Sequence, residues 1–243
     1  MTPSLWCARL GLVRYADALA FQKRLEAARQ SEQVPDVLLL LEHPPVYTRG
    51  RRTTADELPM GEDWYRAQGI EVTDTDRGGR VTYHGPGQLV GYPVVSLQPY
   101  RDDVHDYLRR MERMIISSLG RYEVDAGMIE GLTGVWTAER RKIASIGVHI
   151  SRGVTTHGFA INVNNDLQPF GWIVPCGIDN CQMTSVARER GREVDMDVFM
   201  DTICAEFASV YGREATPVGV DELTARVAGL DRPAEAALAE APA

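Results

Sequence analysis

Two strand-like runs, 142–150 (KIASIGVHI) and 154–163 (VTTHGFAINV), are separated only by Ser151, Arg152 and Gly153. Parallel neighbours need a crossover of about a dozen residues or more, so this short link commits the two runs to antiparallel pairing. A strand at 134–137, across a turn at Glu139-Arg140, joins them in one group. Farther upstream, 37–41 (VLLLL) is an unbroken apolar run closed by Pro44-Pro45, which reads as a strand buried on both faces. Strands are also expected at 5–13, at 71–75 and on either side of a glycine-rich turn in 77–97, and 46–48 is expected to continue the 37–41 strand beyond the prolines. Helical spacing is clearest where Val104, Tyr107, Leu108, Met111, Ile115 and Leu119 share a face, with Asp102 or Asp103 as cap. Further helices are expected at 15–28, 63–68 and 196–210. Tight turns with segregated helices give an α+β class, with the helices on one face of a mixed sheet.

Composition narrows the function. At 44% hydrophobic and 25% charged, 243 residues make an ordinary globular chain with a core of its own. Lys and Arg number 26 against 34 Asp and Glu, a net charge of -8, which argues against a nucleic-acid partner. No apolar run approaches the ~18 residues of a membrane span, and the first twelve residues carry no basic leader before an apolar block. A cytoplasmic protein without a membrane partner is expected. Cys7, Cys176, Cys181 and Cys204 are scattered without a Cys-x-x-Cys pair, so neither a zinc knuckle nor a disulfide framework is expected. Cys7 and Cys204 fall in apolar periodic segments and read as inert. From 214 onward the chain is rich in Ala, Glu and Pro and holds six acidic and two basic residues. It is expected to be a flexible acidic tail behind a single domain over 1–213.

Three segments carry candidate chemistry. Arg77-Gly-Gly-Arg-Val-Thr-Tyr-His-Gly-Pro-Gly-Gln88 holds more glycine than two strands and a turn require, and glycine lets a ligand or a second backbone come close. A bulged hairpin is the competing reading. The segment is neither a P-loop nor a dinucleotide fingerprint, because it lacks the Gly-Lys-Ser/Thr ending and opens no helix. Gly171-Trp-Ile-Val-Pro-Cys-Gly177 places Cys176 between a proline and a glycine in a loop, where a thiolate can attack a carbonyl; a lone cysteine is otherwise inert. Its base can be a histidine, since His84, His149 and His157 all fall near strand ends. Lys142 competes for that role. It is one of two lysines, with Lys23, in a chain that otherwise uses arginine for positive charge, and an amine, unlike a guanidinium, can give up a proton. A solvated surface lysine is the competing reading.

Taken together and in this order, these segments resemble the octanoyltransferase family of lipoate biosynthesis. Residues 77–93 are similar to its long glycine motif, Lys142-Ile-Ala-Ser-Ile-Gly147 to its lysine motif and Pro175-Cys-Gly177 to its cysteine motif, with His157-Gly-Phe-Ala-Ile-Asn162 between the last two. The similarity covers roughly 5–211 and leaves the tail outside. It implies the fold of biotin and lipoate protein ligases, a mixed sheet flanked by helices, with Cys176 as acyl-accepting nucleophile and Lys142 as its partner. It further implies an acyl pocket walled by Arg77, Gly78, Gly79, Arg80, Val81, Thr82, Tyr83 and His84, by Ser145, Ile146 and Gly147, and by Gly158, Phe159 and Ala160. Phe159 stands where the family more often has Leu, which leaves the acyl-chain preference open.

The reaction this resemblance implies moves an octanoyl or lipoyl group from an acyl carrier protein thioester to a lysine of a lipoyl domain. Acceptors would be the 2-oxoacid dehydrogenase complexes and the glycine-cleavage protein. A thioester is already activated, so no cofactor, metal or ATP is expected, and nothing in the sequence requires more than a monomer. Arg49, Arg51, Arg52, Arg140 and Arg141 are candidates for a basic rim facing acidic partners, with solvated loop charge as an equal alternative. The rival functions are an ATP-dependent lipoate or biotin ligase on the same fold, a Cys-His thioester hydrolase and a non-enzymatic carrier-binding module.

Overall fold

A computed structural model describes residues 3–100, 103–174 and 181–228. The chain begins with β1 (Ser4–Leu12), α1 (Tyr15–Gln30) and β2 (Asp36–Glu42), and the two strands pair in parallel with Leu5 opposite Asp36. In β2, Val37, Leu39 and Leu41 pack with Ala18, Phe21 and Leu25 of α1, while Leu38 and Leu40 join the core on the other face. An unbroken apolar run is what a strand covered on both faces requires.

The double proline corrects one expectation. β3 (Val46–Arg49) does not extend β2; it pairs with β4 (Glu71–Asp74) and β5 (Thr82–His84) in a separate three-stranded sheet, with α2 (Glu62–Ala67) between β3 and β4 in sequence. Pro44 and Pro45 have no amide hydrogens with which to continue the ladder. The main sheet continues with β6 (Gln88–Val94), antiparallel to β2. Next come α3 (Val104–Gly120), β7 (Ala126–Gly127), β8 (Val135–Thr137), β9 (Lys142–Ser151) and β10 (Val154–Asn162). As the short link demands, β9 and β10 form a hairpin, with Val154 opposite Ser151 and Gly158 opposite Gly147. The last elements are α4 (Val186–Arg190), α5 (Met196–Tyr211), β11 (Glu214–Pro217) and α6 (Val220–Ala228). Eight strands line up as β11-β1-β2-β6-β10-β9-β8-β7.

Helices cover both faces of this sheet rather than one. α1 and α6 pack on the side of Val37 and Leu39, and α3 and α5 on the side of Leu38 and Leu40, which is why β2 carries no polar face. The α3 start is fixed by Asp103, whose side chain accepts from the amides of His105 and Asp106 at 2.9 and 3.0 Å, a cap worth about 1 kcal/mol. Among the described residues, no helix is long and apolar enough to cross a membrane.

Two readings of the C-terminal third change. Residues 214–228 are part of the folded body: β11 pairs with β1, Ser4 opposite Glu214, and Leu223 and Val227 are buried. Two apolar side chains four residues apart on one helix face are enough to dock α6 against the α1 layer. The rest of the expected tail, 229–243, lies outside the described residues. Cys7 of β1 and Cys204 of α5 form a disulfide with 6.6 Å between their Cα atoms. Cys7 faces the same side as Leu5, toward α5, so two cysteines that read as separate and inert meet across a gap of 197 positions.

Candidate active site

A cavity crosses the sheet above β10. On one side it is bounded by Ser145, Ile146 and Gly147 of β9, at its floor by Gly158, Phe159 and Ala160 of β10, and on the far side by Tyr92 of β6 and Tyr15 of α1. Ala160 sits opposite Ser145 and Gly158 opposite Gly147, so small residues line up across neighbouring strands and leave a trough. From β9 to β6 is two strand spacings, about 10 Å. The ring of Phe159 occupies the space that a side chain at Gly91 would fill.

The glycine segment closes the trough. Gly78 N–H donates to Val148 O at 2.9 Å, and a Cβ on Gly147 would stand 2.9 Å from Gly78 O. A Cβ on Gly50 would stand 2.5 Å from Gly79 O, and the amides of Arg51 and Arg52 donate to Arg77 O and Gly79 O. The glycines thus serve a backbone-on-backbone contact that holds Arg77 and Arg80 in the cavity wall, a role for which Cβ atoms are too large. Arg77 is buried, with its guanidinium on Thr48: Nη2 donates to Thr48 O at 2.6 Å and to Thr48 Oγ1 at 2.7 Å.

Lys142 begins β9 and is only 2% exposed. Its Nζ lies 5.1 Å from the centre of the Trp136 ring. Gly134, at φ +135°, leaves room for the stem: a Cβ there would stand 3.1 Å from Lys142 Cε. Gly134 N–H is itself held by buried Glu112 Oε1 at 2.9 Å. The segment that resumes at Cys181 runs beside Lys142, whose N–H donates to Gln182 O at 2.7 Å and whose carbonyl accepts from Thr184 N–H at 2.9 Å. Cys176 and its motif Pro175-Cys-Gly177 lie outside the described residues.

At the far end stands a cluster of polar rings. His157 has φ 57°, in the left-handed region that non-glycine residues avoid. The β6–β10 ladder stops at Phe159 opposite Gly91, short of Pro93, which has no amide to offer. Thr155 Oγ1 donates to Pro93 O instead, at 2.7 Å, and His157 N–H turns to Gln22 Oε1 of α1 at 2.7 Å. That turn carries the ring to Asp76, where Nε2 donates to Oδ1 at 2.7 Å. The His157 hydrogen bond, followed by that of Lys23, holds the Asp76 carboxyl far below the usual carboxylate range, and burial keeps His157 uncharged.

Of the residues expected from the sequence, the cavity brings together Arg77, Arg80, Thr82 and His84 with all six from β9 and β10. Val81 and Tyr83 point away, into a cluster with Tyr47, Tyr65 and Phe170, because successive residues along an extended chain face opposite sides. Gly78 and Gly79 are not among the lining residues; their backbone packs against Val148, Gly147 and Gly50 beside the cavity. Tyr15, Tyr92 and His43 were not expected here. Tyr92 lay within the quoted glycine motif, Tyr15 read as a helix-core residue, and His43 carried only its polarity beside two prolines. Two arginines of the expected rim are neutralised: Arg49 pairs with Asp74 and Glu62, and Arg141 with Glu189 and Glu139. Arg51, Arg52 and Arg140 are exposed.

The model of the lipoyl protein ligase A/B catalytic domain matches residues 14–208. In three dimensions the chain resembles a bi-partite lipoate protein ligase from Thermoplasma acidophilum, with a TM-score of 0.71 at 17% identity, covering 95% of this chain and 92% of that one. It also resembles a lipoate-protein ligase A bound with ATP, with a TM-score of 0.73 at 17% identity over 95% and 94%. At such identities the likeness speaks for the fold alone, that of the lipoate and biotin ligases. In sequence, an octanoyltransferase of Solibacter usitatus is 48% identical over 212 residues, 87% of this chain and 95% of the relative. One of Rubrobacter xylanophilus is 46% identical over 204 residues, covering 83% and 91%. Within the ligase-like class, the chain belongs to the octanoyltransferase family and is an acyltransferase.

Proposed function

We propose that the protein, in the cytoplasm, transfers an octanoyl or lipoyl group from an acyl carrier protein thioester to a lysine of a lipoyl domain, through an acyl-enzyme on Cys176. This would be the first step of endogenous protein lipoylation. The observation that carries the reading is Lys142, enclosed at 2% exposure on the strand that also supplies Ser145, Ile146 and Gly147 to the cavity. The described residues that follow the cysteine motif, 181–184, run alongside Lys142: its N–H donates to Gln182 O and its carbonyl accepts from Thr184 N–H.

In the first half-reaction Lys142 takes the Cys176 thiol proton and the thiolate attacks the acyl carbonyl. The new C–S bond replaces the carrier's, and the carrier thiol leaves with the proton. In the second, the acceptor lysine's amine attacks the Cys176 thioester, an amide forms, and the released thiolate is reprotonated. Backbone N–H groups near Cys176 and Gly147 would hold the developing oxyanion. The acyl chain lies in the trough, where burial of six methylenes contributes at most about 5 kcal/mol before ordering costs. Lipoyl domains of 2-oxoacid dehydrogenase complexes and of the glycine-cleavage protein would be the acceptors.

Intact-mass and peptide mass spectrometry after incubation with octanoyl-carrier protein and no nucleotide tests this. The expected result is an octanoyl adduct on Cys176 that a lipoyl domain discharges. Modification of the lipoyl domain only with ATP and free octanoate would instead establish a ligase.

A further inference from the structure

The blind end of the cavity offers groups that a plain alkyl chain does not call for. Tyr15, His84, Tyr92 and His157 line it, and the buried ring of His43 stands behind, with centroids 5.6 Å from His84 and 5.8 Å from Tyr92. Hydrogen bonds on the outer side of these rings decide which atoms donate and which accept toward the cavity.

Gln88 donates through Nε2 to Tyr83 O at 3.1 Å and to Asn162 Oδ1 at 2.9 Å. Its Oε1 therefore faces His84 Nδ1, 2.7 Å away, as an acceptor, and His84 Nδ1 carries the proton. Burial, reinforced by His43, holds the His84 ring uncharged, so Nε2 presents a bare lone pair. His84 is 6% exposed, and no hydrogen bond to Nε2 occurs among the described residues. The same logic fixes Tyr92. Val13 O takes the proton of His43 Nδ1 at 2.6 Å, and burial pulls the His43 pKa down to about 4. His43 Nε2 is thus an acceptor and receives the Tyr92 hydroxyl hydrogen at 2.7 Å. Tyr92 Oη is left with lone pairs only. The Arg77 guanidinium on the cavity wall is turned onto Thr48.

We propose that the blind end is a hydrogen-bond-accepting subsite for a medium-length acyl chain that bears a hydroxyl on its last carbon, with His84 Nε2 as the main acceptor and Tyr92 Oη as the second. The inference rests on the acyl-transfer reading given above and names a substrate class for that same site. A chain ending in methyl leaves both acceptors dry, whereas a terminal hydroxyl gives its hydrogen to one of them.

The test compares 8-hydroxyoctanoyl and nonanoyl thioesters of the carrier protein, two chains of equal heavy-atom count that differ only in the last atom. A purely apolar tunnel favours nonanoyl by roughly a hundredfold, whereas a site built to accept a hydroxyl hydrogen favours the hydroxy chain. The expected kcat/KM for 8-hydroxyoctanoyl equals or exceeds that for nonanoyl. In His84→Leu the ratio moves at least tenfold toward nonanoyl, and Tyr92→Phe, which removes one oxygen and serves should the first variant fail to fold, moves it the same way by a smaller factor. A wild-type preference for nonanoyl near a hundredfold, or a ratio unchanged in the folded variants, overturns the subsite while leaving octanoyl transfer intact. Absence of octanoyl transfer itself in the wild type removes the acyl-transfer reading and the subsite with it.

Discussion

Lys23 and Lys142, the chain's two lysines, occupy opposite kinds of place. Lys23 lies on α1 with its side chain 39% exposed, and its Nζ bonds Asp76 Oδ2 at 2.9 Å and Glu26 Oε2 at 3.3 Å. Burial pulls against its proton, but the Asp76 hydrogen bond and charge outweigh that, so Lys23 holds its proton more firmly than a free lysine. Lys142 is enclosed, with a tryptophan face over its nitrogen and a glycine in place of a side chain beside its stem. A chain that meets its other needs for positive charge with arginine keeps one lysine as a surface clasp. The other is closed off from solvent at the start of β9, the strand that also lines the cavity, and that contrast separates an exposed from an enclosed use of the same side chain.

Replacing Lys142 has the largest expected effect. Lys142→Met should lower the rate of octanoyl transfer to a lipoyl domain by about 10²–10⁴-fold, the span of general acid–base catalysis, while the urea unfolding midpoint shows that the fold survives. Lys142→Arg keeps the charge and loses the removable proton, so it should fall into the same range. Turnover within a few-fold of wild type in Lys142→Arg would make Lys142 an electrostatic partner and end the proton-transfer assignment.

The lysine contrast was legible early, because scarcity of one residue type is visible in a sequence. So was the β9–β10 hairpin, fixed by a short link, and β2, fixed by its apolar run. Less visible was anything that depends on where a strand goes after a break. Pro44-Pro45 announced a stop to β2 but not the second sheet that β3 joins. Ala-rich composition hid α6, whose docking rests on Leu223 and Val227 alone. The Cys7–Cys204 link joins β1 to a helix near the other end of the chain, and no spacing rule connects them. At the site, the motif residues could be placed in the cavity wall, but alternation within β5 decides that Thr82 and His84 face it while Tyr83 does not. Tyr15 and Tyr92 join the site because α1 and β6 pack against β10, a long-range arrangement that no local motif announces.

A pH series sharpens the contrast at the far end of the cavity, where Lys23 and His157 share Asp76 and His43 and His84 lie nearby. His43 has its pKa lowered by burial from 6.5 to about 4, so the unfolded chain takes up that proton first as the pH drops. The stability this contributes is complete above pH 6.5 and is lost progressively down to about pH 4, about 3 kcal/mol for His43 alone. His84 and His157 are shifted in the same direction by burial and steepen the loss. Asp76, with its pKa lowered chiefly by His157, keeps its charge throughout this window, and its contribution vanishes only as the pH falls below the ordinary carboxylate range. Urea unfolding between pH 7 and pH 4 should therefore be steep in wild type, flatter in His43→Asn and as steep as wild type in Lys23→Met. A Lys23→Met curve as flat as that of His43→Asn would place the acid sensitivity in the surface clasp.

The smallest effect is expected from Lys23→Met at neutral pH. An exposed ion pair contributes about 0–1 kcal/mol, and methionine keeps most of the stem's contact with α1. Asp76 also stays bonded to His157 at 2.7 Å, so the cavity wall at His157 should hold its position without Lys23. Unfolding free energy should drop by less than about 1 kcal/mol, the difference should shrink further in concentrated salt as the pair is screened, and octanoyl transfer should stay within a few-fold of wild type. Should Lys23→Met abolish transfer as Lys142→Met does, the clasp on Asp76 would itself be setting the cavity wall, and the two lysines would be parts of one device.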